Sequence, residues 1–138
     1  MVNVAIFVSG NGTNCENIIH QFSGSKTVRV ALVLCNKPDA YALVRASNLG
    51  VPTEVMGKAD FSDEARLMGL MDSYHIDFIV LAGFLLMVPP FLTERYPRRI
   101  VNIHPALLPK YGGKGMYGHH VHEAVRAAGD KETGITIH

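Results

Sequence analysis

Met1-Val2-Asn3-Val4-Ala5-Ile6-Phe7-Val8, followed at once by Ser9-Gly10-Asn11-Gly12-Thr13-Asn14, decides how this chain folds. Val2 to Val8 is almost wholly apolar, rich in β-branched residues, and ends on a glycine turn. A short run of that kind describes a strand buried on both faces of a parallel sheet better than a helix. Cys15, Ile18, Ile19 and Phe22 then recur at helical spacing. Thr13 or Asn14 is placed to cap that helix, and Gly24 to close it.

The same unit repeats outward. Val28 to Leu34 reads as a second apolar strand, residues 36–39 as a turn, and Ala40 to Leu49 as a helix ended by Gly50. Pro52 to Met56 is a short strand that suits a sheet edge, where a proline does least harm. Ser62 to Tyr74 reads as one helix with Ala65, Met68 and Met71 or Asp72 on adjacent turns. Asp77 to Ala82 is a third strong apolar strand. Pro89-Pro90 starts a short helix, and Arg99 to His104 forms another strand. Residues 106–118 read as a loop, His119 to Ala128 as a helix, and Ile135 to His138 as the entry to a further strand. The fold class is therefore α/β, an open, mostly parallel, doubly wound sheet of Rossmann-like type with right-handed crossovers. Residues 1–138 read as a single domain whose last strand is entered but not finished, so a C-terminal piece of it is expected beyond His138.

Composition bounds the function. Hydrophobic residues make up 48% and charged residues 18% of the 138, enough to bury a core. A net charge of +1 argues against a broad nucleic-acid surface. The small basic clusters, Arg95/Arg98/Arg99 and Lys110/Lys114, read as solvated surface before they read as phosphate sites. The longest apolar stretch, Phe78 to Pro90, is interrupted by Gly83, Pro89 and Pro90, so no membrane span is expected. No basic leader precedes the first strand, so no signal peptide is expected. Two distant cysteines, Cys15 and Cys35, make no disulfide framework and fit packing in a reducing cytoplasm.

Two groups of residues carry chemistry. The loop at Gly10 and Gly12 lets backbone approach a ligand, and the following helix points free N–H groups at it, as an anion site requires. It is neither a dinucleotide fingerprint, since Cys15 stands where a third glycine would be, nor a Walker A loop, and a plain strand-to-helix turn accounts for it equally. Asn102-Ile103-His104-Pro105 is sharper. Asn102 and His104 leave one strand on the same face, so an amide donor and an imidazole could share one carbonyl oxygen and stabilise an oxyanion. The histidine could also move a proton near neutrality, although a strand-end histidine is often only hydrogen-bonded structure. His119, His120 and His122 lack metal-ligand spacing and read as a loop wall and helix start, so no metal is expected.

Four segments in this order, Ser9-Gly10-Asn11-Gly12-Thr13-Asn14, Asn36-Lys37-Pro38-Asp39-Ala40, Leu81-Ala82-Gly83-Phe84 and residues 102–111, resemble the glycinamide ribonucleotide formyltransferases. The resemblance implies formyl transfer from 10-formyltetrahydrofolate, used as co-substrate, to the amine of glycinamide ribonucleotide in purine synthesis. It implies that Gly12, Thr13 and Asn14 hold the substrate phosphate. Leu85, Leu86, Met87 and Val88, together with Asn102, would hold the folate, and Asn102 and His104 would be catalytic. The family's third catalytic residue, an aspartate, follows the strand that begins here at Ile135, and none of the 138 residues fills that role. The chain departs from the family at Leu86, where an arginine is common, and in a longer glycine-bearing loop over residues 111–120. Small-molecule substrates, no nucleic acid, no membrane, and a monomer or homodimer are expected. The alternatives are another formyl-folate enzyme, such as a deformylase or a methionyl-tRNA formyltransferase, and a non-catalytic phosphate-binding module.

Overall fold

Strands form where the sequence is continuously apolar, and helices where apolar residues recur every three or four positions. The computed structural model describes residues 1–103. They form β1 (Val2–Val8), α1 (Thr13–Phe22), β2 (Val28–Cys35), α2 (Tyr41–Asn48), β3 (Thr53–Val55), α3 (Lys58–Phe61), α4 (Glu64–Ser73), β4 (Phe78–Ala82), α5 (Pro90–Arg95) and β5 (Ile100–Ile103). The loop, helix and strand expected over residues 104–138, and the histidines within them, lie outside the described residues.

All strand pairings are parallel, in the order β3-β2-β1-β4-β5. β1 is therefore central, and β3 with Pro52 at its entry is an edge, as expected. Alternation along β1 sorts its side chains between two cores. Val4, Ile6 and Val8 pack with Cys15, Ile18, Phe22, Ala42 and Ala46 of α1 and α2. Ala5 and Phe7 pack with Phe61, Leu67, Met71, Leu92 and Tyr96 of α3, α4 and α5. Helices thus cover both faces, which is why β1, β2 and β4 read as nearly continuous apolar runs. Both cysteines are buried and unpaired, at 1% and 0% exposure, as the packing role required.

The helix expected over Ser62 to Tyr74 is α4, Glu64–Ser73, and a four-residue helix, α3, precedes it. Ser62 Oγ donates to the Lys58 carbonyl at 2.9 Å, and the Asp63 carboxylate accepts from Arg66 N–H at 3.3 Å. These side chains satisfy backbone groups that a continuous helix would use, and they place a cap where the period alone suggests none. The buried stripe of α4 is Leu67, Met68 and Met71, and Ala65 faces solvent. At α1 the cap position is Gly12, in a left-handed conformation with no side-chain cap, in place of Thr13 or Asn14. Capping falls one residue earlier still: Asn11 Oδ1 accepts from Thr13 N–H at 3.1 Å and from Thr13 Oγ1 at 2.7 Å.

α5 is fixed to the sheet by Tyr96, 5% exposed, whose hydroxyl donates to the Ile76 carbonyl at 2.9 Å. Burial pushes the Tyr96 phenol up to about 12 and, chiefly through desolvation, the Cys15 thiol up to about 12. Both shifts favour the neutral, protonated group in the fold. The stability they contribute is complete below the unfolded values, 9.0 for the thiol and 10.0 for the phenol, and is lost as pH rises toward about 12. Urea midpoints should hold from neutrality to pH 9.0 and fall above it. Tyr96→Phe should flatten the part of the fall above pH 10.0, and an unchanged slope there would contradict the buried phenol.

Candidate active site

The sheet order reverses its direction of growth between β1 and β4. Loops leaving two such strands diverge to opposite faces and open a crevice at their carboxyl ends, where ligands of open α/β sheets bind. The glycine turn, residues 9–12, leaves β1 there, and residues 83–89 leave β4 beside it. Ser9 ties the two together. It is 1% exposed, and its Oγ accepts from the Leu85 N–H at 2.8 Å. The sequence offered Ser9 only as part of a turn; the signal for its role is a small hydroxyl directly after an apolar strand.

Gly12 has two reasons to be glycine. Its φ is +85°, and a Cβ there would stand 2.6 Å from both the Cα and the Cβ of Ala42. The turn is therefore pressed against the first turn of α2, where Ala42 N–H also reaches the Gly10 carbonyl at 3.4 Å. Gly10, by contrast, has nothing within 4 Å of where its Cβ would be, and that side of the turn is open. The first α1 bond runs from Glu16 N–H to the Gly12 carbonyl at 2.8 Å. The backbone N–H groups of Asn14 and Cys15 have no acceptor among the described residues, while that of Thr13 is taken by Asn11. Free N–H groups at the positive end of a ten-residue helix are what an anion uses.

The segment after β4 alternates. Leu85 and Met87 are 72% and 90% exposed, whereas Leu86 and Val88 are half-buried against the Phe7 core. Beneath it, Phe84 packs on Phe7 and Phe61, with ring centroids 5.4 and 5.0 Å apart, which holds the strip on a rigid floor. Asn102 lies in β5 opposite Leu81, which itself lies opposite Phe7. The three stand at one height across the sheet, so Asn102 is two strand spacings, about 10 Å, from β1. By alternation it shares the face of Phe7, Leu81 and the Leu86–Val88 strip, and it is half-buried. His104 lies outside the described residues.

Charge at the rim comes from a residue the sequence did not single out. Arg45 of α2 donates from Nε to the Asn11 carbonyl at 2.9 Å, pairs through Nη1 with Glu16, and lies over the Tyr41 ring at 4.8 Å. Its hydrogen bond is the main reason the Glu16 carboxyl sits below the usual carboxylate range, with His20 also assisting. Among the described residues no group of His, Cys, Asp and Glu could hold a metal ion. A cavity of about 550 Å³ opens at the opposite, amino-terminal end of the sheet, lined by Phe22, Arg29, Gly50 and His75 among others. It is remote from the switch point and from every residue of the rim.

A glycine turn at a helix N-terminus, an apolar strip and a polar strand end at the carboxyl edge of one parallel sheet define an α/β domain of the open, doubly wound class. The family model for formyl transferases matches residues 2–138. Phosphoribosylglycinamide formyltransferase of Arabidopsis thaliana, a chloroplastic protein, is 42% identical over 141 residues, covering 98% of this chain and 48% of its own. The Haemophilus influenzae protein of that name is 38% identical over 143 residues, covering 100% of this chain and 65% of its own. Glycinamide ribonucleotide transformylase 1 of Geobacillus kaustophilus superposes with a TM-score of 0.70 at 34% identity, over 89% of this chain and 68% of its own. The chain belongs to the formyl transferase family, and it spans about half to two thirds of the length of these curated relatives.

Gly12→Ala should cost about 2–4 kcal/mol, from left-handed strain together with the clash on Ala42. Gly10→Ala should cost less than about 1 kcal/mol. Equal denaturant midpoints for the two variants would contradict the close packing of the turn on α2.

Proposed function

We propose that the protein transfers a formyl group from 10-formyltetrahydrofolate to the amine of glycinamide ribonucleotide, a step of purine synthesis. What carries this reading is the coincidence, at one switch point, of a helix N-terminus with free N–H groups and an apolar strip presenting Leu85 and Met87 to solvent. The names of the relatives agree with it. The turn at Gly12, Thr13 and Asn14 binds the substrate phosphate, through the N–H groups of Asn14 and Cys15 as they stand. The strip from Leu85 to Val88 takes the apolar ring of the folate: Leu85 and Met87 offer exposed apolar surface, and Leu86 and Val88 fix the backbone between them. The folate supplies an activated formyl carbon.

Asn102 stands where its amide can donate to the formyl oxygen as the substrate amine attacks and negative charge develops there. His104, two residues on, adds a second donor when protonated and can pass its proton to the leaving nitrogen. The half-buried setting of Asn102 lowers the local dielectric and strengthens its contribution. Two free cysteines in the core fit a reducing compartment such as the cytoplasm.

The test is formyl transfer assayed with both substrates in a protein of the relatives' length. Asn102→Ala and His104→Ala should each lower kcat by about 10²–10³ while keeping a cooperative thermal transition. Near-normal turnover in either variant would remove the catalytic assignment. Folate deformylation without any requirement for glycinamide ribonucleotide would point to the deformylase alternative.

A further inference from the structure

The mechanism leaves Arg45 unused, although it is the one side chain that reaches the glycine turn from a second element by both a backbone and an ionic contact among the described residues. Its Nε holds the Asn11 carbonyl at 2.9 Å, one residue before Gly12. Its Nη1 engages Glu16, in the first turn of α1. Its guanidinium rests on the Tyr41 ring at 4.8 Å, which restricts where it can go.

Glu16 creates a conflict that Arg45 resolves. A carboxylate in the first turn favours the helix by itself, because it meets the positive end of the dipole. A bound phosphate would use that same end, so the two anions would repel. The carboxyl stays ionised, since Arg45 and His20 both hold it below the usual carboxylate range. We propose that Arg45 is the positioning residue of the phosphate turn: it fixes the turn's backbone at Asn11 and neutralises Glu16, so that a substrate phosphate meets a net attractive site. This inference rests on the proposed role of the turn and adds to it a residue from α2.

A merely structural tie between α1 and α2 would change stability and leave substrate affinities alone. A positioning role separates the two substrates. In a protein of the relatives' length, Arg45→Met should raise KM for glycinamide ribonucleotide about tenfold, with kcat and the folate KM changed less than about twofold. Adding Glu16→Gln to Arg45→Met should recover much of that loss, because the unpaired carboxylate is gone. Glu16→Gln alone should lower the same KM about twofold, and as a near-isosteric change at a half-buried position it gives a readout even if Arg45→Met folds poorly. Inorganic phosphate should compete with glycinamide ribonucleotide in the unmodified protein and about tenfold more weakly in Arg45→Met.

An equal rise in both KM values, no rise at all, or a higher KM in Glu16→Gln would overturn the role of Arg45. In those cases competition by phosphate in the unmodified protein would leave the turn as the phosphate site. Absence of any phosphate competition in the unmodified protein would overturn the phosphate reading of the turn, and this inference with it.

Discussion

β1 is hydrogen-bonded along both edges, to β2 from Val2 and to β4 from Val4, and it is covered by helices on both faces. No side chain from Val4 to Val8 is more than 2% exposed. A strand so enclosed has no freedom of register, because a one-residue slip would exchange the Val4-Ile6-Val8 set with Ala5 and Phe7 between two differently shaped cores. The position of everything that follows Val8 is inherited from that lock. Ser9 emerges at a fixed height beside the end of β4, and Gly12 arrives against Ala42 with no room for a side chain.

The coarse fold was legible because its cause is local and repetitive. Short, nearly continuous apolar runs at residues 2–8, 28–35 and 78–82 read best as strands with both faces buried, and Pro52 marked its strand as an edge. What the sequence hid were contacts between residues far apart in the chain. Nothing near Arg45 indicates that it will reach Asn11, 34 positions earlier, and nothing near Ser9 indicates Leu85, 76 positions later. The misplaced cap of α1 has the same origin. Asn11 wins over Thr13 and Asn14 because Gly12 is forced left-handed by its packing on α2, a tertiary constraint that overrides local capping preference. The break at Ser62–Asp63 was available locally and is a matter of two polar side chains competing with the helix for backbone groups.

The site follows the same division. Asn102 was expected in the strand before His104, and it lies in β5 opposite Leu81. The residues of the strip were named by resemblance, and the structure adds a distinction among them. Leu86 and Val88 are half-buried against the core, while Leu85 and Met87 are held out from it. Leu86, half-buried against an apolar core, is in a setting that suits an aliphatic side chain.

The rim is also where the molecule departs from the rules that shape the rest of it. The two faces of the sheet below are covered by helices. At the carboxyl ends of the strands, Leu85 and Met87 are open to water, the N–H groups of Asn14 and Cys15 lack acceptors among the described residues, and Asn36 at the end of β2 buries an Oδ1 with no partner there. Each of these departures costs stability. The enclosed β1 core and the Phe7-Phe61-Phe84 cluster directly beneath supply the rigidity that lets them persist. A surface that leaves both apolar area and hydrogen-bond donors unsatisfied, on a floor that cannot relax to cover them, retains free energy that only a ligand of matching character can release. That is the physical argument for proposing the rim, and not the cavity at the other end of the sheet, as the site.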